Sequence, residues 1–213
     1  LTIYQRYLHS TQAVLRTAAI AGIGALGRAS SAAMLIAALG DGDEVVAGTA
    51  EQALARLRAG SVTGELSAAY ASARAANRPA LLRLLAQRDA VDGSALIAAL
   101  RNDDRALRLA AIAIARQRDD ATLSDPLLAL VDSDDAEQRD AALLASIDVA
   151  ARDLTRGEKR AAVDRAHRCL TLAATQATQA AALRLIARIA SASSLSYLDE
   201  LDPVFDEGER ERA

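Results

Sequence analysis

One stretch of the chain is followed by a near copy of itself. ALIAALRNDDRALRLAAIAIA begins at Ala95, and PLLALVDSDDAEQRDAALLAS begins at Pro126. Leu96 aligns with Leu127, Ile97 with Leu128, Asp103 and Asp104 with Asp134 and Asp135, and Arg108 with Arg139, each pair 31 positions apart. A fixed period of this length restricts the chain to stacked supersecondary units, because one such unit cannot bury its apolar side alone. The period extends upstream. Leu35, Leu66, Leu96 and Leu127 are spaced 31, 30 and 31 apart. A second column runs through Arg16, Ala47, Arg78, Arg108 and Arg139.

Within each unit the apolar pattern is helical. Helices are expected over 2–9, 11–27, 32–39, 44–58, 62–76, then from Pro79, and near 93–101, 103–118, 123–131 and 134–152. Leu15, Ala19, Gly22 and Ile23 follow the i, i+4, i+7, i+8 stripe of a helix, and Val46, Ala50, Ala53 and Leu54 repeat it. Leu66, Ala69, Tyr70 and Ala73 should also face inward. Gly22 reads as a point of close helix approach and Gly27 as a C-terminal stop. Ser30 or Ser31 should cap the third helix, Asp43 should favour the N-terminus of the fourth, and Asp103/Asp104 and Asp134/Asp135 should cap theirs. Pro79 is tolerated in a first turn. After residue 150 the period breaks. Longer helices are expected over 157–174 and 178–190, followed by a turn at 191–194, the amphipathic piece LSYLDELDPVF and a charged tail at 206–213.

Composition supports the same class. Alanine and leucine dominate a chain with 2% aromatic residues and three prolines, which suits close helix packing and suits a sheet poorly. The net charge of −3 gives no global basic excess of the kind duplex nucleic acid attracts. Cys169 is the single cysteine, so no internal disulfide forms, and a lone thiol fits a reducing compartment. No apolar run reaches the length of a membrane span. The first residue is Leu1 rather than Met, which points to a trimmed chain. A cytoplasmic protein is the expectation.

The segments LIAAL-GDGDEVV, LIAALRNDDRALR and LLALVDSDDAEQR resemble HEAT repeats, of the short variety also found in phycobilin-lyase-type proteins. The resemblance covers about residues 11–151, with 152–205 as an irregular continuation. It implies an all-α fold, a right-handed α-solenoid of about six HEAT-like helical hairpins, forming one domain over 1–205. It also implies that the turn aspartates and the second-helix arginines, Asp104 with Arg108 and Asp135 with Arg139, form a ladder between neighbouring repeats that is interrupted at Ala47. The family mostly builds scaffolds for protein partners, and some HEAT-like solenoids bind DNA.

Chemistry-bearing residues are sparse. His9 and His167 are the two histidines. His167 and Cys169 are two apart and point about 160° apart on a helix, so they do not clamp one metal. The aspartate pairs sit at helix starts, where capping accounts for them. GIGALG at 22–27 lies on a helix rather than in a phosphate loop. Arg101, Arg105, Arg108, Arg116 and Arg118 form one cationic cluster, and Arg152, Arg156, Lys159, Arg160, Arg165 and Arg168 form another. No aromatic platform of the kind base-handling proteins use lies between 71 and 196. The expected function is a non-enzymatic protein-interaction scaffold with no catalytic residues, cofactor or metal. Its partner would lie in a concave groove near Glu51, Gln52, Arg105, Glu137 and Asp140. The end helix carrying Tyr4 and Tyr7 is a second candidate surface. The alternatives are a nucleic-acid-binding solenoid and a bilin-lyase-like enzyme subunit.

Overall fold

A computed structural model describes residues 1–57 and 59–192, with side chains to residue 189. All regular structure among the described residues is helical. The helices are α1 Thr2–Tyr7, α2 Ala13–Ala25, α3 Ala32–Ala38, α4 Glu44–Arg56, α5 Gly60–Ser72, α6 Arg78–Ala86, α7 Gly93–Leu100, α8 Arg105–Ala115, α9 Ser124–Leu128, α10 Ala136–Thr155, α11 Lys159–Leu172 and α12 Gln176–Ala192. Short 3-10 turns precede α3, α6 and α9. LSYLDELDPVF and the tail at 206–213 lie outside the described residues.

The chain divides into two compact units, Leu1–Ala111 and a second beginning at Ile112, with the boundary inside α8. In the first unit α2 lies along α4 and α4 along α6, while α3 lies against α5. Each hairpin closes on itself, α1 on α2, α3 on α4 and α5 on α6. The two layers enclose Ile20, Ile23, Leu35, Val46, Leu54, Leu66, Leu81 and Leu84, all buried. Burying each such side chain favours folding by roughly 1.5–3 kcal/mol. In the second unit α10 packs on α9, α11 and α12, and α11 packs on α12. Its core mixes small residues, among them Ala142, Ala145, Ala150, Ala162, Ala166 and Ala182, with larger ones such as Leu127, Leu143, Ile147, Val163 and Leu185.

Local signals explain most boundaries. Asp43 caps α4 by accepting from the N–H groups of Val45 and Val46. Asp104 accepts from Leu107 N–H and Asp135 from Gln138 N–H, the same cap in both copies of the repeat. Gly27 ends the α2 segment with φ +63, a conformation that favours glycine. Pro79 lies in the first turn of α6.

Several expectations are corrected. Neither Ser30 nor Ser31 caps α3. Residues 29–31 form a 3-10 turn, and the buried Ser31 Oγ has no hydrogen-bond partner. The helix expected near 123–131 is the shorter α9, entered through a 3-10 turn capped by Asp120. Leu15 is not part of the buried stripe of α2; Ile20 fills that role, because the neighbouring layer meets α2 one position further round. Ala69, Tyr70 and Ala73 are half-buried rather than enclosed, and of that set Leu66 alone is buried. Residues 191–192 continue α12 instead of turning.

Candidate functional site

The second-layer helices α2 and α4 come unusually close. A Cβ on Gly24 would stand 2.6 Å from the Cβ of Ala53, so the approach depends on glycine there. With Ala19, Ile20 and Ile23 turned inward, the helical repeat turns Val14, Ala18 and Ala21 outward. On α4 the same logic buries Val46, Ala50, Ala53 and Leu54 and leaves Val45 outside. Val14 is 78% exposed and Val45 66% exposed. They occupy equivalent positions of successive hairpins, one repeat apart. Together with Ala13, Thr17, Ala18, Ala21 and Asp43 they line an open groove of about 400 Å³ that is almost entirely apolar.

The expected partner-binding residues divide between the two units. Gln52 is exposed two helical turns beyond Val45, on the same face of α4. Glu51 is half-buried and forms a bidentate ion pair with Arg83 of α6, at 2.7 and 2.8 Å. That hydrogen bond raises the Arg83 pKa above its ordinary value. Arg105 is exposed at the start of α8. In the second unit Glu137 is exposed, and Asp140 is half-buried with Oδ1 closed off from solvent and without a hydrogen-bond partner. Sequence reasoning looked for polar groove residues and passed over Val14 and Val45. The signal was available, since both are β-branched apolar residues one repeat apart on an otherwise outward face.

The arginine column has a shared local role. Arg16, Arg108 and Arg139 each donate to the carbonyl six residues earlier, in the turn that opens their own helix: Ser10 at 2.7 Å, Asn102 at 2.7 Å and Ser133 at 3.2 Å. Each closes a turn whose carbonyl no helix partner satisfies. Arg16 also reaches forward to the turn of the next hairpin, gripping both carboxylate oxygens of Asp41 at 2.7 and 2.8 Å. This hydrogen bond, supported by the N–H of Asp43, holds Asp41 below the ordinary carboxylate range against the opposing effect of burial. Arg78 instead heads α6, with its Nε unpartnered.

The cationic clusters are largely occupied. Arg116 pairs with Asp148 at 2.8 Å. Arg152 donates to the carbonyl of Arg116, and Arg88 donates to the carbonyls of Leu54 and Leu57 at the end of α4. Arg156 bridges Asp119, Asp153 and Glu158, and Arg165 of α11 meets Asp153 of α10. Asp153 is completely buried, a node that the sequence analysis did not single out. Cys169 is also buried, and burial pushes its thiol up to about 11.

A second cavity of about 540 Å³ lies among α1, α2 and α3, lined by Leu8, His9, Ile20, Met34 and Asp41 among others. Its one carboxylate is already held by Arg16. Among the described residues no cluster of three or more His, Cys, Asp or Glu side chains is placed to hold a metal ion, and no helix is long and apolar enough to cross a membrane. The arrangement defines a class: an all-α protein of consecutive helical hairpins with an apolar surface groove. No protein-family model and no curated protein matches the chain.

Proposed function

We propose that this protein is a non-enzymatic interaction scaffold, a right-handed solenoid of about six HEAT-like hairpins that holds a protein segment against its second helices. The observation that carries the reading is the open apolar groove between α2 and α4, with Val14 and Val45 exposed at equivalent repeat positions. Contiguous exposed apolar surface marks interaction sites more often than chance surface does. The polar residues Gln52 and the Glu51–Arg83 pair border the same helices and would supply the rim that fixes register. The engagement of Arg116, Arg152, Arg156 and Arg165 by carboxylates and carbonyls favours a protein partner over nucleic acid. The buried lone thiol fits a cytoplasmic setting.

The test is recovery of a defined partner from the source cell by the wild-type chain, the V14D/V45D variant and a Ser67→Asp control on exposed α5 surface. The groove reading expects the partner with wild type and control and its loss with V14D/V45D. Recovery unchanged by V14D/V45D overturns it. Binding of oligonucleotide alone, with steep loss between low and moderate salt, replaces it with the nucleic-acid reading.

A further inference from the structure

The chemistry of the groove between α2 and α4 restricts what can fill it. Its lining runs from Ala13 to Ala21 on α2 and from Asp43 to Val45 at the start of α4. α4 has a helix on each side, α2 and α6, and Val45 is still mostly exposed. Val14 repeats that position one hairpin earlier. The rest of the apolar lining is Ala13, Ala18 and Ala21, so small side chains leave space that larger ones would fill.

The lining side chains offer almost nothing to hydrogen-bond. Thr17 carries the one hydroxyl, and it donates to the carbonyl of Ala13 at 3.0 Å within its own helix. Asp43 has no proton to give, and its Oδ1 already accepts from the N–H groups of Val45 and Val46. An extended segment laid here would bury backbone carbonyls that no side chain in the groove can pair, at a cost for each one. A helix pairs its own backbone and presents only side chains. The charge at the groove has one sign. Asp43 is the one charged residue of the lining, and Glu44 follows it, exposed, at the head of α4. The one cation of α2, Arg16, is taken up by Asp41.

We infer that the groove takes an amphipathic α-helix of a partner protein, with aliphatic side chains against Val14, Val45 and the alanines and a lysine or arginine beside Asp43 and Glu44. The inference rests on the reading of this groove as the binding surface and adds the conformation and charge of what fills it. Aliphatic residues at i, i+3, i+4 and i+7 share one helix face, so they reach the alanine-lined space together. The cation fixes the direction in which the helix lies, while apolar burial holds it.

The experiment titrates the full chain into three fluorescein-labelled peptides of about 18 residues, long enough to hold a helix in part on their own, and reads anisotropy. The first peptide has leucines at the i, i+3, i+4 and i+7 spacing among alanines and lysines. The second has a proline in place of a central alanine, and the third has glutamates in place of the lysines. Circular dichroism confirms the helicity of each protein variant. The first peptide should bind. V14S/V45S removes apolar surface without changing charge and should weaken that binding by about tenfold or more. The proline peptide should also bind at least about tenfold more weakly, because proline breaks the helix. The glutamate peptide should lose a few-fold, and Glu44→Gln should narrow the gap between it and the lysine peptide. Ser67→Asp on α5 should change none of these values. Equal binding of the helical and proline peptides overturns the inference. So does helical-peptide binding that V14S/V45S leaves unchanged, or a helical peptide bound more weakly than about 1 mM. Self-association of the wild type that V14S/V45S abolishes, with the peptide unbound, gives the groove to a second copy and overturns it too. Loss of the cellular partner with V14D/V45D while the helical peptide stays unbound removes the helix and leaves the groove reading standing. Partner recovery indifferent to V14D/V45D removes the groove reading itself.

Discussion

The two units are both built of helical hairpins but differ in how deeply they bury charge. In the first, the ion pairs Arg16 with Asp41 and Arg83 with Glu51 keep partial contact with solvent, and apolar side chains reach solvent at Val14, Val45 and along α1. In the second, the central carboxylate is completely buried. Asp153 of α10 meets Arg165 of α11 and Arg156 beyond its own helix end, and the nearby Cys169 helix face is closed. Helical hairpins therefore accommodate both part-exposed ion pairs and a completely buried carboxylate. What separates them is where the chain places its charges, since both cores use the same alanine and leucine vocabulary.

The sharpest way to break this contrast is Asp153→Ala. It leaves two arginines facing a buried void, and removing one partner of a buried charge cluster costs about 3 kcal/mol. Urea unfolding should show that loss, and thiol reagents should reach Cys169 faster as α10 and α11 part. A loss below about 0.5 kcal/mol, the range of an ordinary surface change, would place the node at the surface and erase the distinction.

Glycine substitutions in α2 come next. Gly24→Ala drives a methyl into Ala53, and overpacking of about 1–3 kcal/mol outweighs the helix-propensity gain of about 1 kcal/mol. Gly22→Ala meets first the ring of Tyr4, which is partly exposed and can swing aside, so its melting temperature should stay close to the wild type or rise slightly. Equal losses from both would mean that α1 is held as firmly as the second-layer helices.

A smaller effect tests the shared part of the two units. Asp104→Ala and Asp135→Ala each remove one N-cap bond, at about 1 kcal/mol apiece, and chemical denaturation should give similar values for both. Unequal values would show that the two copies, although alike in sequence, are loaded differently.

The smallest effect is the pH dependence of the Asp41–Arg16 pair. Asp41 has its carboxyl pKa lowered in the folded chain, so its contribution is fully present above the ordinary carboxylate value. It fades as the pH falls through the lowered one. Thermal melts of Asp41→Asn and wild type should therefore differ at pH 7 and converge in strong acid. The pair reaches solvent, so the difference is modest.

Much of the fold was legible because its signals are local. Asp43, Asp104 and Asp135 cap the helices they precede, Gly27 adopts the left-handed turn, and Val46, Ala50, Ala53 and Leu54 are all buried. The errors share a cause. Ser31 and Leu15 were assigned by pattern, but a 3-10 entry and the angle of a neighbouring helix decided their surroundings. Asp153 was invisible for a related reason. One of its arginines lies on the following helix, and nothing in the spacing of Asp153 and Arg165 marks a buried pair.

The chain alone determined that it would be helical, where most helices begin, and that hairpins recur every 31 or so positions, because capping and apolar periodicity act within a few residues. Tertiary packing decided which repeated positions stay open to water. Asp153 is buried because α10 and α11 pack against each other and bring Arg165 to it, and α2 meets α4 closely because Gly24 faces Ala53, contacts between residues remote in sequence.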